Sequence, residues 1–230
     1  MVNNLRVVIA AAGSATRMGS KINKQYMLLK GKPVLTYALD AFEDFEMVDE
    51  IVVVANPAEI DYCEQEIVKK YGYRKVSGVI AGGRQRQDSV WAGLQYLGED
   101  TDLVAVHDGA RPLFSYKILR ELITAAREWG AAVPGINAKD TLKSVDRDGF
   151  IRQTLDRSTV MAIQTPQIFK YTELVSAYRL AQEEDFRATD DAGIFETYIG
   201  RVKVVAGEDS NLKIPPPADL KIAEALLRDN

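Results

Sequence analysis

Short runs of apolar, mostly β-branched residues alternate along this 230-residue chain with longer segments whose apolar positions recur at helical spacing. The runs Leu5–Ala12, Ile51–Ala55, Val76–Ala81, Leu103–Val106, Ala131–Pro134 and Val202–Ala206 are brief and bounded by Gly, Pro or charge, so they predict buried strands. Between them, Pro33–Phe42, Glu59–Tyr71, Arg86–Leu97, Tyr116–Trp129 and Thr172–Glu184 predict helices, and Pro33 and Pro57 sit near helix starts, where a missing N–H is harmless. A last helix is predicted over Ala218–Arg228, after a stiff Pro215-Pro216-Pro217 connector. Strand–helix alternation of this kind builds a mostly parallel sheet with helices on both faces. Ligands of such sheets bind beyond the carboxyl ends of the strands.

The pattern therefore predicts an α/β, Rossmann-like three-layer sandwich formed by a single domain over residues 1–230. One stretch breaks the rhythm. Thr141–Val145 and Phe150–Leu155 flank Asp146-Arg147-Asp148-Gly149, a hairpin signal within an arm spanning about 138–164. A lone two-stranded hairpin is marginal in water and must pack on something. That partner is either its own domain, as a flap, or a second subunit.

Composition narrows the class. Apolar residues make up 47% and charged residues 27%, ordinary for a globular protein, and the net charge of -4 argues against a nucleic-acid or anionic-membrane binder. Any anion site must be local. Cys63 and His107 are the single residues of their types, which excludes an intrachain disulfide and a zinc site built from Cys and His. A Cys–His dyad would require those two to meet. No apolar run nears the ~18 residues of a membrane span. The start of the chain superficially resembles a signal peptide, but Gly13, Arg17, Lys21 and Lys24 stand where a cleavage region belongs, so a buried first strand and a cytoplasmic location are expected.

Within this acidic protein, the first 39 residues hold Arg6, Arg17, Lys21, Lys24, Lys30 and Lys32 and no acid. Much of that charge follows a strand and a small-residue loop, Ala10 to Gly19. Such a turn lets backbone N–H groups approach phosphate oxygens, and Arg17 and Lys24 can neutralise a triphosphate by charge-assisted bonds worth about 1.5–3 kcal/mol each. A plain tight turn with solvated cations is the alternative. The loop lacks a Gly-Lys-Ser/Thr ending, and Ala15 occupies the second glycine's place in G-x-G-x-x-G, so neither the Walker nor the dinucleotide pattern fits. Gly82-Gly83-Arg84-Gln85-Arg86 opens a helix after a strand, as a second source of backbone donors or as ordinary capping. Asp108, in His107-Asp108-Gly109-Ala110-Arg111-Pro112, ends another strand; it is placed either to hold Mg²⁺ against phosphates or to form a turn. All three segments lie at predicted strand C-termini and should face one crevice.

In order and spacing, these segments resemble the 2-C-methyl-D-erythritol 4-phosphate cytidylyltransferase family. The likeness covers Ala11-Ala12-Gly13 through Arg17-Met18-Gly19, Lys24-Gln25-Tyr26, Gly82 to Val90 and His107 to Pro112. It extends through Asp140-Thr141, Asp156-Arg157, Gln164-Thr165-Pro166-Gln167, Thr189-Asp190-Asp191-Ala192 and Asn211-Leu212-Lys213. The resemblance implies transfer of a cytidylyl group from CTP to 2-C-methyl-D-erythritol 4-phosphate with Mg²⁺, in non-mevalonate isoprenoid synthesis. It implies charge stabilisation at the attacked phosphorus by Arg17 and Lys24. CTP binding falls to Ala11, Ala12, Gly13, Gly83, Arg84, Ser89, Asp108 and Gly109, with Asp108 at the metal. Thr141, Arg157, Thr189, Lys213 and Arg111 would position the polyol phosphate. A homodimer is implied, the arm completing the neighbour's pocket.

Physical chemistry agrees with these implied roles. The acceptor phosphate is already an anionic nucleophile, so the site has to bring two anions together and stabilise charge, not activate a Ser, Cys or His. Ribitol 5-phosphate is a rival acceptor, and a non-catalytic nucleotide-binding module is a rival class. A dehydrogenase is disfavoured because no acid precedes Asp40. Ala15 and Pro215-Pro216 depart from the family pattern without removing a charged group.

Overall fold

The computed structural model describes residues 4–13, 23–214, 223–225 and 227. In chain order the elements are β1 (Leu5–Ala11), the short strands β2 (Leu28–Leu29) and β3 (Lys32–Pro33), α1 (Val34–Asp44), β4 (Val48–Ala55), α2 (Ile60–Tyr62), β5 (Val76–Ala81), α3 (Arg86–Leu97), β6 (Leu103–Asp108) and α4 (Tyr116–Trp129). Then follow β7 (Ala131–Asn137), β8 (Lys143–Val145), β9 (Ile151–Thr154), β10 (Met161–Ile163), β11 (Gln167–Lys170), α5 (Tyr171–Glu183), α6 (Asp191–Tyr198) and β12 (Lys203–Ala206).

The main sheet is centred on β1, which pairs in parallel with β4 on one side and β6 on the other; Val7, for instance, lies opposite both Ile51 and Ala105. Outside β4 runs β5, also parallel. Beyond β6 lies β11, antiparallel to it and to β7; β7 also takes β10 antiparallel and β12 in parallel. Both faces of the sheet are covered, which is why its strands read as nearly unbroken apolar runs. Leu5, Val7, Ile9 and Ala11 pack with Leu35, Leu39 and Phe42 of α1 and Ile118, Leu122 and Ile123 of α4. Val8, Val52 and Val54 face the opposite layer, Val90 and Leu94 of α3, Leu174 and Tyr178 of α5, and Phe195 of α6. This is the expected three-layer α/β arrangement.

Several details differ from the pattern reading. The segment expected as one helix from Glu59 to Tyr71 is a 3₁₀ turn at Pro57–Glu59, then α2, then a π-helical stretch at Cys63–Lys69. The wider turn matches a Lys69–Glu64 ion pair of 2.9 Å spanning five residues, and it still directs Cys63, Ile67 and Val68 inward. Neither β11 nor α6 is anticipated by periodicity. Gln167–Lys170 is four residues long and becomes a strand only because the gap between β6 and β7 accepts it. The eight-residue α6 is set by Asp190, whose side chain accepts from the Gly193 N–H at 3.0 Å. Of the predicted terminal helix, Ala223–Ala225 are helical and Ala223 packs with Leu29, Val34 and Ile214. Pro215-Pro216-Pro217 and Ala15 lie outside the described residues.

The hairpin forms as expected between β8 and β9. The Asp146 carboxylate accepts from the N–H groups of Asp148 and Phe150, at 3.1 and 2.9 Å, and Gly149 adopts φ +87°, a turn geometry that favours glycine. Val145, Phe150 and Ile151 at its tip are exposed by 57%, 72% and 64%.

Candidate active site

Strand termini build the site because a parallel sheet brings the ends of β1, β4, β5 and β6 to one edge. The N–H of Gly109 donates to Ala10 O at 3.0 Å, and the N–H of Gly82 to Ala55 O at 2.8 Å, so the loop after β6 begins beside the end of β1 and the loop after β5 beside the end of β4, against Ala12. Close approach requires glycine here. A Cβ on Gly82 would collide with that of Ala12 and lie 2.8 Å from Ser89 Oγ. The buried Ser89 hydroxyl accepts from the Gly83 N–H and donates to Gln85 O, both at 3.1 Å. Ser89 therefore shapes the Gly82-Gly83 loop from beneath.

Asp108 is the electrostatic centre. Its Oδ1 accepts from Arg86 Nε at 3.0 Å and its Oδ2 from Lys213 Nζ at 2.6 Å, while Arg111 Nε stands 4.0 Å away. Burial alone would raise the Asp108 carboxyl; Arg86 and Lys213 outweigh it and hold the group well below the usual carboxylate range. Arg86 extends the network inward: its Nη2 donates to Asp191 Oδ2 at 2.7 Å, and Tyr178 OH donates to Asp191 Oδ1 at 2.6 Å. Burial opposes the charge on Arg86, but Asp191 and Asp108 push its pKa up, so it stays a cation.

His107 is a structural group. Its pKa is lowered to about 4, chiefly by burial, so the ring is neutral near pH 7. The Asp108 N–H donates to Thr165 Oγ1 at 3.1 Å, leaving that hydroxyl to donate to His107 Nδ1 at 3.1 Å; Nε2–H then donates to Arg111 O at 2.9 Å. Thr165 O accepts from Asn211 Nδ2 at 2.8 Å, and Asn211 O accepts from Arg111 Nη1 at 2.7 Å. These bonds lock the strand-end turn and deliver Lys213, two residues on from Asn211, to Asp108. Cys63, also buried, lies in the Tyr26–Glu59 neighbourhood, so the two do not form a dyad.

Of the residues expected from the sequence, Ala11, Ala12, Gly13, Gly83, Ser89, Asp108, Gly109, Arg111 and Lys213 gather at this edge. Lys24 joins them through a 3₁₀ turn, Lys24–Tyr26, whose Gln25 side chain donates to Ala11 O at 2.6 Å. Arg17 lies outside the described residues. Arg84 is exposed on the rim; the inward cation of its motif is Arg86, because Arg86 begins α3. Thr141 and Arg157 are exposed on the arm, where Arg157 Nη1 donates to Lys139 O at 3.2 Å, and Thr189 is exposed before α6. None of these three hydrogen-bonds to the Asp108 cluster among the described residues. Arg86 and Asp191 complete this charged network, and neither is among the site residues expected from the sequence. The available signal was a cation and an acid inside two otherwise chemistry-bearing motifs.

Among the described residues no group of three His, Cys, Asp or Glu side chains forms a metal cage. An ionised Asp108 on its own still suits Mg²⁺, which takes one or two carboxylates and completes its shell with phosphate oxygens and water. Lys213, with 54% of its side chain exposed, is the partner able to move aside.

Strand-end glycine loops and several cations gathered on the buried carboxylates Asp108 and Asp191 fit an α/β enzyme of the nucleotidyltransferase class. Residues 5–229 match the family model for 2-C-methyl-D-erythritol 4-phosphate cytidylyltransferase (IspD), and the chain belongs to that family. It is 44% identical over 225 residues to the 2-C-methyl-D-erythritol 4-phosphate cytidylyltransferase of Caldanaerobacter subterraneus subsp. tengcongensis, covering 98% of this chain and 99% of the relative. It is 46% identical over 232 residues to that of Lachnoclostridium phytofermentans, covering 100% and 98%. The crystal structure of 4-diphosphocytidyl-2C-methyl-D-erythritol synthase from Anaerococcus prevotii superposes with a TM-score of 0.87 at 32% identity, covering 99% of this chain and 97% of that one. Among the described residues no helix is long and apolar enough to cross a membrane.

Proposed function

We propose that this enzyme joins CTP to 2-C-methyl-D-erythritol 4-phosphate, giving 4-diphosphocytidyl-2-C-methyl-D-erythritol and pyrophosphate, as a cytoplasmic step of non-mevalonate isoprenoid synthesis. The observation that carries this reading is the convergence of the Ala11–Gly13, Gly82–Ser89 and Asp108–Arg111 loops at one sheet edge around an ionised carboxylate. The acceptor phosphate oxygen attacks the α-phosphorus of CTP, and the bond from that phosphorus to the bridging oxygen breaks as pyrophosphate leaves. Backbone N–H groups of Ala12 and Gly13 suit the phosphates, with Ala11, Gly83, Ser89 and Gly109 shaping the loops around the nucleotide and Arg84 at the rim. Lys24 and Arg17 stabilise the charge that builds on the α-phosphate. Mg²⁺, when bound, neutralises phosphate charge; Asp108 is the protein group that would hold it.

Lys213 and Arg111 serve the acceptor's phosphate from the same edge. Thr141, Arg157 and Thr189 complete the acceptor pocket, the first two from the arm of a second subunit. The apolar tip of the arm supports this homodimer, because Phe150 and Ile151 are 72% and 64% exposed on a hairpin that needs packing. The test is pyrophosphate release from CTP and Mg²⁺ with either 2-C-methyl-D-erythritol 4-phosphate or ribitol 5-phosphate. Release with the former supports the proposal. Release only with ribitol 5-phosphate transfers the assignment to that acceptor, and CTP binding without release identifies a non-catalytic module.

A further inference from the structure

The residues on either side of Lys24 are deeply buried. Asn23, Gln25 and Tyr26 are exposed by only 8%, 4% and 5%, whereas Lys24 between them is half-buried. Each neighbour is tied to a different element. Asn23 Nδ2 donates to Glu59 Oε1 in the 3₁₀ turn after β4. The Tyr26 ring meets Tyr62 of α2 edge-on, with centroids 5.0 Å apart. Gln25 Nε2 donates to Ala11 O, the last carbonyl of β1, at 2.6 Å in a buried setting. The turn itself is held by two weaker local bonds, Tyr26 N–H to Asn23 O at 2.9 Å and Met27 N–H to Lys24 O at 3.2 Å.

We propose that Gln25 is a positioning residue for catalysis, fixing the base of Lys24 against the end of the strand that leads into the Ala12-Gly13 loop. This inference rests on the role given to Lys24 above and adds a residue to it. A lysine side chain has four rotatable bonds, so its ammonium can be aimed at a phosphorus only if its own backbone is fixed. The Asn23 and Tyr26 contacts tie the turn to the β4–α2 side. Gln25 alone among the three ties it to β1, and so sets the distance from Lys24 to the loop that receives the triphosphate. Glutamine is the fitting residue. Leucine has no donor for the carbonyl, and ionised glutamate would present an acceptor to an acceptor in a site with little water to intervene.

The experiment is a double-mutant cycle in the full-length enzyme, with steady-state kinetics and thermal unfolding measured for each protein. Gln25→Leu and Gln25→Glu should each lower kcat about 10- to 100-fold, as expected for a misplacement near 1 Å, with the KM for CTP moving less than about threefold. Should Gln25→Leu fail to fold, Gln25→Glu carries the test, because it conserves volume. In a Lys24→Ala background the same Gln25 substitution should lower kcat by no more than about threefold further, since its effect passes through the lost ammonium. Full multiplicative losses in that background, or an unchanged kcat for both Gln25 variants, would overturn the proposal. An unchanged kcat for Lys24→Ala alone would instead refute the role of Lys24, so the two failures are told apart.

Discussion

Replacing Arg86 with methionine isolates the interaction on which the site's electrostatics depend. Methionine keeps much of the buried stem and removes the guanidinium. Asp191, whose side chain is fully buried, then loses its 2.7 Å contact to Nη2 and, among the described residues, retains only the side-chain hydrogen bond from the Tyr178 hydroxyl at 2.6 Å. Asp108 loses the 3.0 Å contact to Nε but keeps Lys213. Removing one partner of a buried pair leaves an uncompensated charge, which costs about 3–5 kcal/mol. At ~2–4 °C per kcal/mol for a chain of this size, Tm should fall by roughly 6–20 °C. Asp191→Asn removes the stranded charge while keeping an acceptor for the tyrosine, so the Arg86→Met/Asp191→Asn protein should regain much of the loss. The assay is thermal and urea unfolding of all four proteins at pH 7 and fixed concentration. A loss below about 1 kcal/mol for Arg86→Met, or strict additivity in the double variant, would refute the reasoning.

Two further outcomes follow from the loop and the arm. Ser89→Ala removes the acceptor of the Gly83 N–H and the donor to Gln85 O, so it should cost about 1 kcal/mol of stability and raise the KM for CTP with kcat nearly unchanged; a fall in kcat with KM unmoved in steady-state assays contradicts that role. Mixing the severely impaired Lys24→Ala and Arg157→Ala subunits should restore about a quarter of wild-type turnover if the arm completes the partner's pocket, because half of the dimers are mixed and each mixed dimer has one intact site. Absence of rescue, with subunit exchange demonstrated independently, assigns both residues to one self-contained site.

Much of the fold was legible because local physics and burial agree. Val7–Ala11 is apolar on both faces, being covered by α1 and α4 on one side and by α3 and α5 on the other, so its continuous apolar run announces a buried parallel strand. The hairpin was legible from Asp146 and Gly149, whose turn chemistry acts over a few residues. Helix α6 and β11 were not, because a four- or eight-residue element takes its conformation from the neighbours that accept it. The 59–71 segment read as one helix because its inward positions fit an α period, while the insertion of a π turn depends on how Cys63 and Ile67 seat in the core.

The chemistry divides along the same line. By itself, the sequence determined that a phosphate site had to be local, since basic residues without acids crowd the first 39 positions of an acidic chain. It also determined that three loops end strands and must share an edge, a consequence of parallel connectivity. Only the tertiary structure decided which charges meet. Asp108 is joined to Arg86 and Lys213 across 22 and 105 residues, and Arg86 to Asp191 across 105. Arg84 and Arg86 are equivalent as letters, yet one lies on the rim and the other bridges two carboxylates. A charged side chain's worth depends on its depth and its partners within a few ångströms, and those are fixed when distant segments fold onto the same sheet edge.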